Sequence, residues 1–179
     1  AGCSPIRGHS NVQGQRTVGI SEKPELVPYD RLRAIFDFEP PSETGVNTVE
    51  ACEGMIDGSI KAFVGLGGNF VRAIPERDKM EAAWTKMRLT VQIATKLNRS
   101  HLVNGEIAYL LPCLGRTEED MQASGPQVVT MEDSLSMIHG SVGKRKPASE
   151  HLLSELAIVA GMAKATLPPR PSVKWDEWV

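Results

Sequence analysis

Apolar residues along this chain fall into short runs separated by polar, turn-rich segments, and the runs have two different periods. Leu32, Ile35 and Phe36 share one side of a helical pattern over residues 29–36, which Pro40 and Pro41 close. Behind Asn47 or Thr48, either of which can cap a helix, Val49, Cys52, Met55 and Ile56 repeat at helical spacing as far as Gly58. Residues 60–64 read as a short buried strand. Residues 78–87 read as a helix with Met80, Ala83, Trp84 and Met87 inward, and residues 89–93 and 107–111 as two further strands. Strand, helix, strand, polar turn, strand is the rhythm of a parallel α/β sheet.

Past Pro112 the pattern loosens. Residues 115–120 are polar, 126–130 suggest an isolated strand, and 140–147 are basic and loop-like. Residues 149–165 form the clearest helical pattern, with Leu152, Leu156, Val159, Ala160 and Ala163 on one face. The tail, 168–179, carries three prolines and two tryptophans and is expected to pack against whatever follows it. The expected fold class is therefore α/β: a parallel-sheet, Rossmann-like nucleotide-binding layer sandwich, followed by a mixed segment ending in a long helix. The pattern divides the chain into a loop at 1–20, an α/β domain at 21–113, and part of a second, discontinuous domain at 114–179.

Composition narrows the chemistry. With 179 residues, 41% of them hydrophobic, there is enough chain for one sizeable domain or a domain and a half. A net charge of −2 leaves no broad basic field for nucleic acid or an anionic membrane surface. No apolar run approaches the ~20 residues of a membrane span, and no secretory leader precedes the first motif. The expectation is a cytoplasmic protein that acts on a small molecule. A chain opening Ala1-Gly2-Cys3-Ser4-Pro5, so close to its richest motif, reads as cut from something longer. Cys3, Cys52 and Cys113 are odd in number and lack a Cys-x-x-Cys pair, so no metal site built within the chain is expected.

The most crowded polar stretch is Arg7-Gly8-His9-Ser10-Asn11-Val12-Gln13-Gly14, continuing to Ile20. It has neither apolar period and must be a loop. Its glycines allow close backbone approach to a ligand, and the guanidinium fork of Arg7 suits a carboxylate or phosphate. Composition alone leaves a plain polar surface loop equally open. Three predicted strands also end in polar loops, at 65–69, 92–100 and 112–118, which a parallel sheet would set side by side. That edge suits a nucleotide. Gly65-Leu66-Gly67-Gly68-Asn69-Phe70 departs from the dinucleotide fingerprint at its third glycine, where Phe70 stands, which argues against a classical NAD site.

The string Ile6 to Gly14 resembles the VRG-(Q/H)-(N/S)-NVQG signature of molybdopterin-dependent oxidoreductases, in the formate-dehydrogenase-like alpha subunit group of the dimethyl-sulfoxide-reductase superfamily. Segments 62–70, 96–101 and 111–118 agree with that group in order, so the resemblance covers nearly the whole chain. It implies a molybdenum ion held by two molybdopterin guanine dinucleotides, with α/β domains of this kind gripping the nucleotide ends. It implies that Arg7 stands beside the metal as a catalytic residue, with His9 two positions on. The group's formate dehydrogenases have glutamine at that second position, and His9 is a donor that titrates near neutral pH. Cofactor contacts implied by position are Gly8, Asn11, Gln13, Gly14, Gly67, Gly68, Asn69, Asn98, Arg99, Ser100 and Cys113. Phe70 and Cys113 depart from the group's usual residues. The metal's protein ligand and a 4Fe-4S cluster belong to other segments of the full-length parent, so this chain alone is expected to be inactive and to need the remainder of the polypeptide as its partner.

Other residues invite less. His101 reads as a loop or cap residue, His139 and His151 as solvated with no carboxylate or cysteine nearby at metal spacing, and Glu118, Glu119 and Asp120 as a solvated acidic turn. Asp133, Ser134 and Ser136 lack the elbow of a nucleophilic hydrolase. The alternative to the oxidoreductase is a non-catalytic α/β module that binds a nucleotide or a partner.

Overall fold

The computed structural model describes residues 23–133, 135, 137–177 and 179. The loop with Arg7, Gly8, His9, Asn11, Gln13 and Gly14 lies outside the described residues, as do Ser134 and Ser136. The fold is mixed α/β. In chain order come α1 (Tyr29–Phe36), α2 (Thr48–Asp57), β1 (Ala62–Leu66), α3 (Phe70–Ala73), α4 (Arg77–Trp84), β2 (Leu89–Ala94) and β3 (Ile107–Pro112). The short strands β4 (Met121–Gln122), β5 (Gly125–Pro126), β6 (Val129–Glu132) and β7 (Ile138–Ser141) follow, then α5 (Glu155–Thr166). Two compact units result. One comprises Val46–Gly115 with Ala148–Met162; the other comprises residues 23–45, Arg116–Pro147 and Ala163–Val179. The chain thus leaves the sheet unit after Gly115 and returns at Ala148, where the sequence pattern alone suggests a contiguous division near residue 113.

In the sheet unit, β1, β2 and β3 pair in that order, both pairs parallel, with Leu66 opposite Ile93 and Ile93 opposite Leu111. Because side chains alternate along a strand, Phe63 and Ile93 point to opposite faces. On the Phe63 face, α2, α3 and α4 close a core of Met55, Val71, Ile74, Met80, Trp84 and Met87, with Cys52, Ile60 and Phe70 against it. The Phe63 ring lies 4.7 Å from Trp84 and 5.2 Å from Phe70, centroid to centroid. Helix α2 begins on a reciprocal cap: Asn47 accepts from the N–H groups of Val49 and Glu50, while Glu50 accepts from the Asn47 N–H. Arg72 and Glu81 pair across α3 and α4.

On the Ile93 face, Ile158 and Met162 of α5 pack with Ile93, Cys113 and Leu111. This corrects the expected inward stripe of α5. The helix starts at Glu155, so Leu152 precedes it, and Leu156 and Val159 are exposed. The segment is apolar almost all round, and several stripes satisfy a 3.6-residue period equally well. Tertiary packing chose Ile158 and Met162.

In the other unit, β6 and β7 form an antiparallel hairpin, so the expected single strand at 126–130 is in fact parts of two different pairs. Glu118, Glu119 and Asp120 are half-buried rather than solvated, and the Glu119 N–H donates to the Arg145 carbonyl. The tail packs onto the end of α1: Arg170 donates to the Asp37 carbonyl and the Ser172 hydroxyl to that of Phe36. It therefore has a partner within the chain, beyond anything that follows.

Candidate functional site

A parallel sheet places the carboxyl ends of its strands on one edge, and here those of β1, β2 and β3 lead into the loops singled out from the sequence. The first loop turns on Gly67 and Gly68, at φ +71° and +76°, a left-handed conformation that costs a residue with a Cβ ~1–2 kcal/mol. No atom lies within 4 Å of where a Cβ would project from either glycine. Both glycines are exposed and leave that space open at the sheet edge. The Gly67 N–H is tied back to the Ile93 carbonyl at 2.8 Å, which fixes the loop to β2.

Asn98 joins the first loop to the second. Its amide nitrogen donates to the Gly68 carbonyl at 3.1 Å, and its side-chain oxygen accepts from the Ser100 N–H at 2.8 Å. His101 completes a reciprocal cap, its Nδ1 accepting from the Asn98 N–H at 3.0 Å. His101 is thus the cap residue expected from sequence, buried with its acceptor used. Asn98 spends both ends of its amide on protein, so its first task is to hold two loops in register. Arg99 and Lys96 are exposed cations on the loop that Asn98 ties to Gly68.

Ser100 is fully buried, and its hydroxyl has no hydrogen-bond partner, as is true of the indole N–H of Trp84. A buried hydroxyl left unsatisfied costs ~1–3 kcal/mol. No sequence signal marks it. Cys113 is also buried, inside the Ile93 and Ile158 cluster, while its backbone N–H donates to the Ala94 carbonyl. Its side chain packs the interior, and only its backbone borders the edge.

The structure accordingly brings Gly67, Gly68, Asn69, Asn98 and Arg99 together on one exposed rim, with Ser100 and Cys113 behind it. Among the described residues, no group of three or more His, Cys, Asp or Glu side chains could hold a metal ion. No helix among them is long and apolar enough to cross a membrane.

One polar pair was missed. In the β6–β7 hairpin, His139 Nε2 lies 2.9 Å from Asp133 Oδ2, a carboxylate six residues away. Asp133 Oδ1 also accepts from the N–H groups of Leu135 and Met137. The His139 hydrogen bond first, and those backbone donors after it, hold the Asp133 carboxyl below the ordinary range. The hairpin register, invisible to a linear reading, creates the contact.

No family model matches the sequence. Over nearly its whole length the chain is similar to the protein YdeP of Escherichia coli, 49% identical over 176 residues, 98% of this chain. It is also similar to the proteins named uncharacterized oxidoreductase Rv2900c of Mycobacterium tuberculosis and Mb2924c of Mycobacterium bovis, 45% identical over 181 residues, 99% of this chain. In each case it spans 23% of the relative's own length.

Proposed function

We propose that these residues act within a longer polypeptide, a formate-dehydrogenase-like oxidoreductase using a molybdenum bis-molybdopterin guanine dinucleotide cofactor. In this reading they supply part of the cofactor cradle and one wall of the substrate pocket. The observation that carries the reading is the carboxyl edge of the sheet, where Gly67 and Gly68 are bare, exposed and locked to the next loop by Asn98. Relatives named oxidoreductase add support, as does their length.

The donor set fits the nucleotide end of such a cofactor. The open space where a Cβ would stand on Gly67 and Gly68 permits close approach to phosphate oxygens, Arg99 and Lys96 offer cations, and Asn69 offers an amide for ribose or base. Asn98 keeps the cradle in shape, and Ser100 and Cys113 back it from the interior. The bound group would supply two-electron transfer at the metal, its electrons leaving through an iron–sulfur cluster held elsewhere in the parent. Arg7 is assigned to orient an anionic substrate through its guanidinium, and His9 to hold or move a proton at an imidazole nitrogen. Gly8, Asn11, Gln13 and Gly14 are assigned to the same cofactor loop.

The test is metal and guanine analysis of the full-length polypeptide beside its Arg7→Ala variant, both assayed with formate and a dye acceptor. Molybdenum in both proteins, with turnover lost only in the variant, is expected. Equal turnover in the two would remove Arg7 from the pocket.

A further inference from the structure

Strand β3 is the edge of the parallel sheet, yet Ile107-Ala108-Tyr109-Leu110-Leu111-Pro112 has no charged residue. Edge strands are commonly protected by lysine, proline, bulges or a covering element, since their unpaired N–H and C=O groups invite another strand; here such devices stand only at the far end, as Pro112 and the Cys113–Leu153 bridge, and leave residues 107–111 open. A near-continuous apolar run is instead the mark of an interior strand in a parallel sheet covered on both faces. The exposure agrees. On the Ile93 face, Ile107 is 49% and Tyr109 57% exposed; on the opposite face, Leu110 is 42% exposed. The other edge differs: β1 exposes Val64 and Leu66 on one face only, its Phe63 and Gly65 being partly covered on the other.

We propose that β3 is an internal joint of the full polypeptide. Its occupant is a β-α segment from outside these residues, whose strand extends the sheet beside β3 and whose helix covers Ile107 and Tyr109 with an apolar stripe. A β-α segment meets two of these needs at once, because the strand satisfies the open edge while the connected helix closes the Ile107 and Tyr109 face. The chain that could supply it exists in the relatives, where more than three-quarters of YdeP lies outside the matched region. The inference shares with the proposed function only the longer polypeptide and is independent of molybdenum.

The experiment places the photo-reactive residue benzoylphenylalanine at Tyr109 of the full-length protein, irradiates it, and maps the adduct, with amide exchange of β3 measured in parallel. An adduct at monomer mass to a segment outside these residues is expected, along with slow exchange at the outward-facing β3 amides. An adduct joining two polypeptides, an adduct confined to these residues, no adduct at all, or fast exchange along the outer edge would each overturn the proposal. The readout is the same with or without bound metal, so it cannot be confused with failure of the cofactor reading.

Discussion

Strands β2 and β3 are neighbours of similar composition with opposite surroundings. Leu89–Ala94 is buried at every position except its first, which is half-buried, whereas Ile107–Pro112 is exposed at all but Leu111. Composition reports the environment a strand was selected for, and packing reports the environment present. Where the two agree, as in β2, the element is complete within the chain. Where they disagree, as in β3, part of the environment is missing.

The largest effect should come from the complete side. Trp84→Ala is expected to cost ~3–5 kcal/mol of unfolding free energy, because it empties the centre of the core shared by Phe63, Phe70 and Met80. Trp84→Phe should cost markedly less than its lost volume suggests, since it also deletes the unpaired indole N–H. Denaturant titration of both variants reads the difference.

Ile107→Ser comes next and separates the two environments. In the 179-residue chain it should change stability by no more than ~0.5 kcal/mol, as for an exposed site. In the full-length protein, if β3 is covered there, it should cost ~2 kcal/mol or more. Equal small effects in both would show that nothing covers this face.

Asn98→Ala should cost ~1 kcal/mol by removing the cap on Ser100 and the tie to Gly68. Faster amide exchange in both loops should accompany it. Smallest is the hairpin pair, which touches neither strand. Asp133 has a lowered folded pKa, so its contribution is present above the ordinary carboxylate range of about 4 and disappears as the pH falls through the lowered value. His139→Ala should raise the Asp133 titration midpoint toward the ordinary value, as read by carboxyl NMR. An unchanged midpoint would assign the shift to the backbone donors alone.

Much of the sheet unit was legible because its signals are local. The Asn47 cap, the inward Met80, Ala83 and Trp84, and the three strands follow from spacing and capping chemistry, with β1 displaced by two residues from the expected start and Met87, expected within the helix, buried three residues beyond its end at Trp84. The loops of the rim were legible as polar breaks after apolar runs. What stayed hidden depends on pairing between distant segments. Asn98 bonded to Gly68, His139 facing Asp133, the burial of Cys113 and the choice of Ile158 over Leu156 each require the fold before they can be seen. The orphaned Ser100 hydroxyl has no sequence signature at all.

The most direct test of the cradle is the molybdenum and guanine nucleotide content of the full-length protein, compared between the natural sequence and Gly68→Val. The account predicts both components in the natural protein and a large loss of nucleotide in the variant. Left-handed strain at a β-branched residue should lower stability by ~1–3 kcal/mol, read by denaturant titration, while the space where its Cβ projects is open. A properly matured natural protein lacking both molybdenum and guanine nucleotide would contradict it.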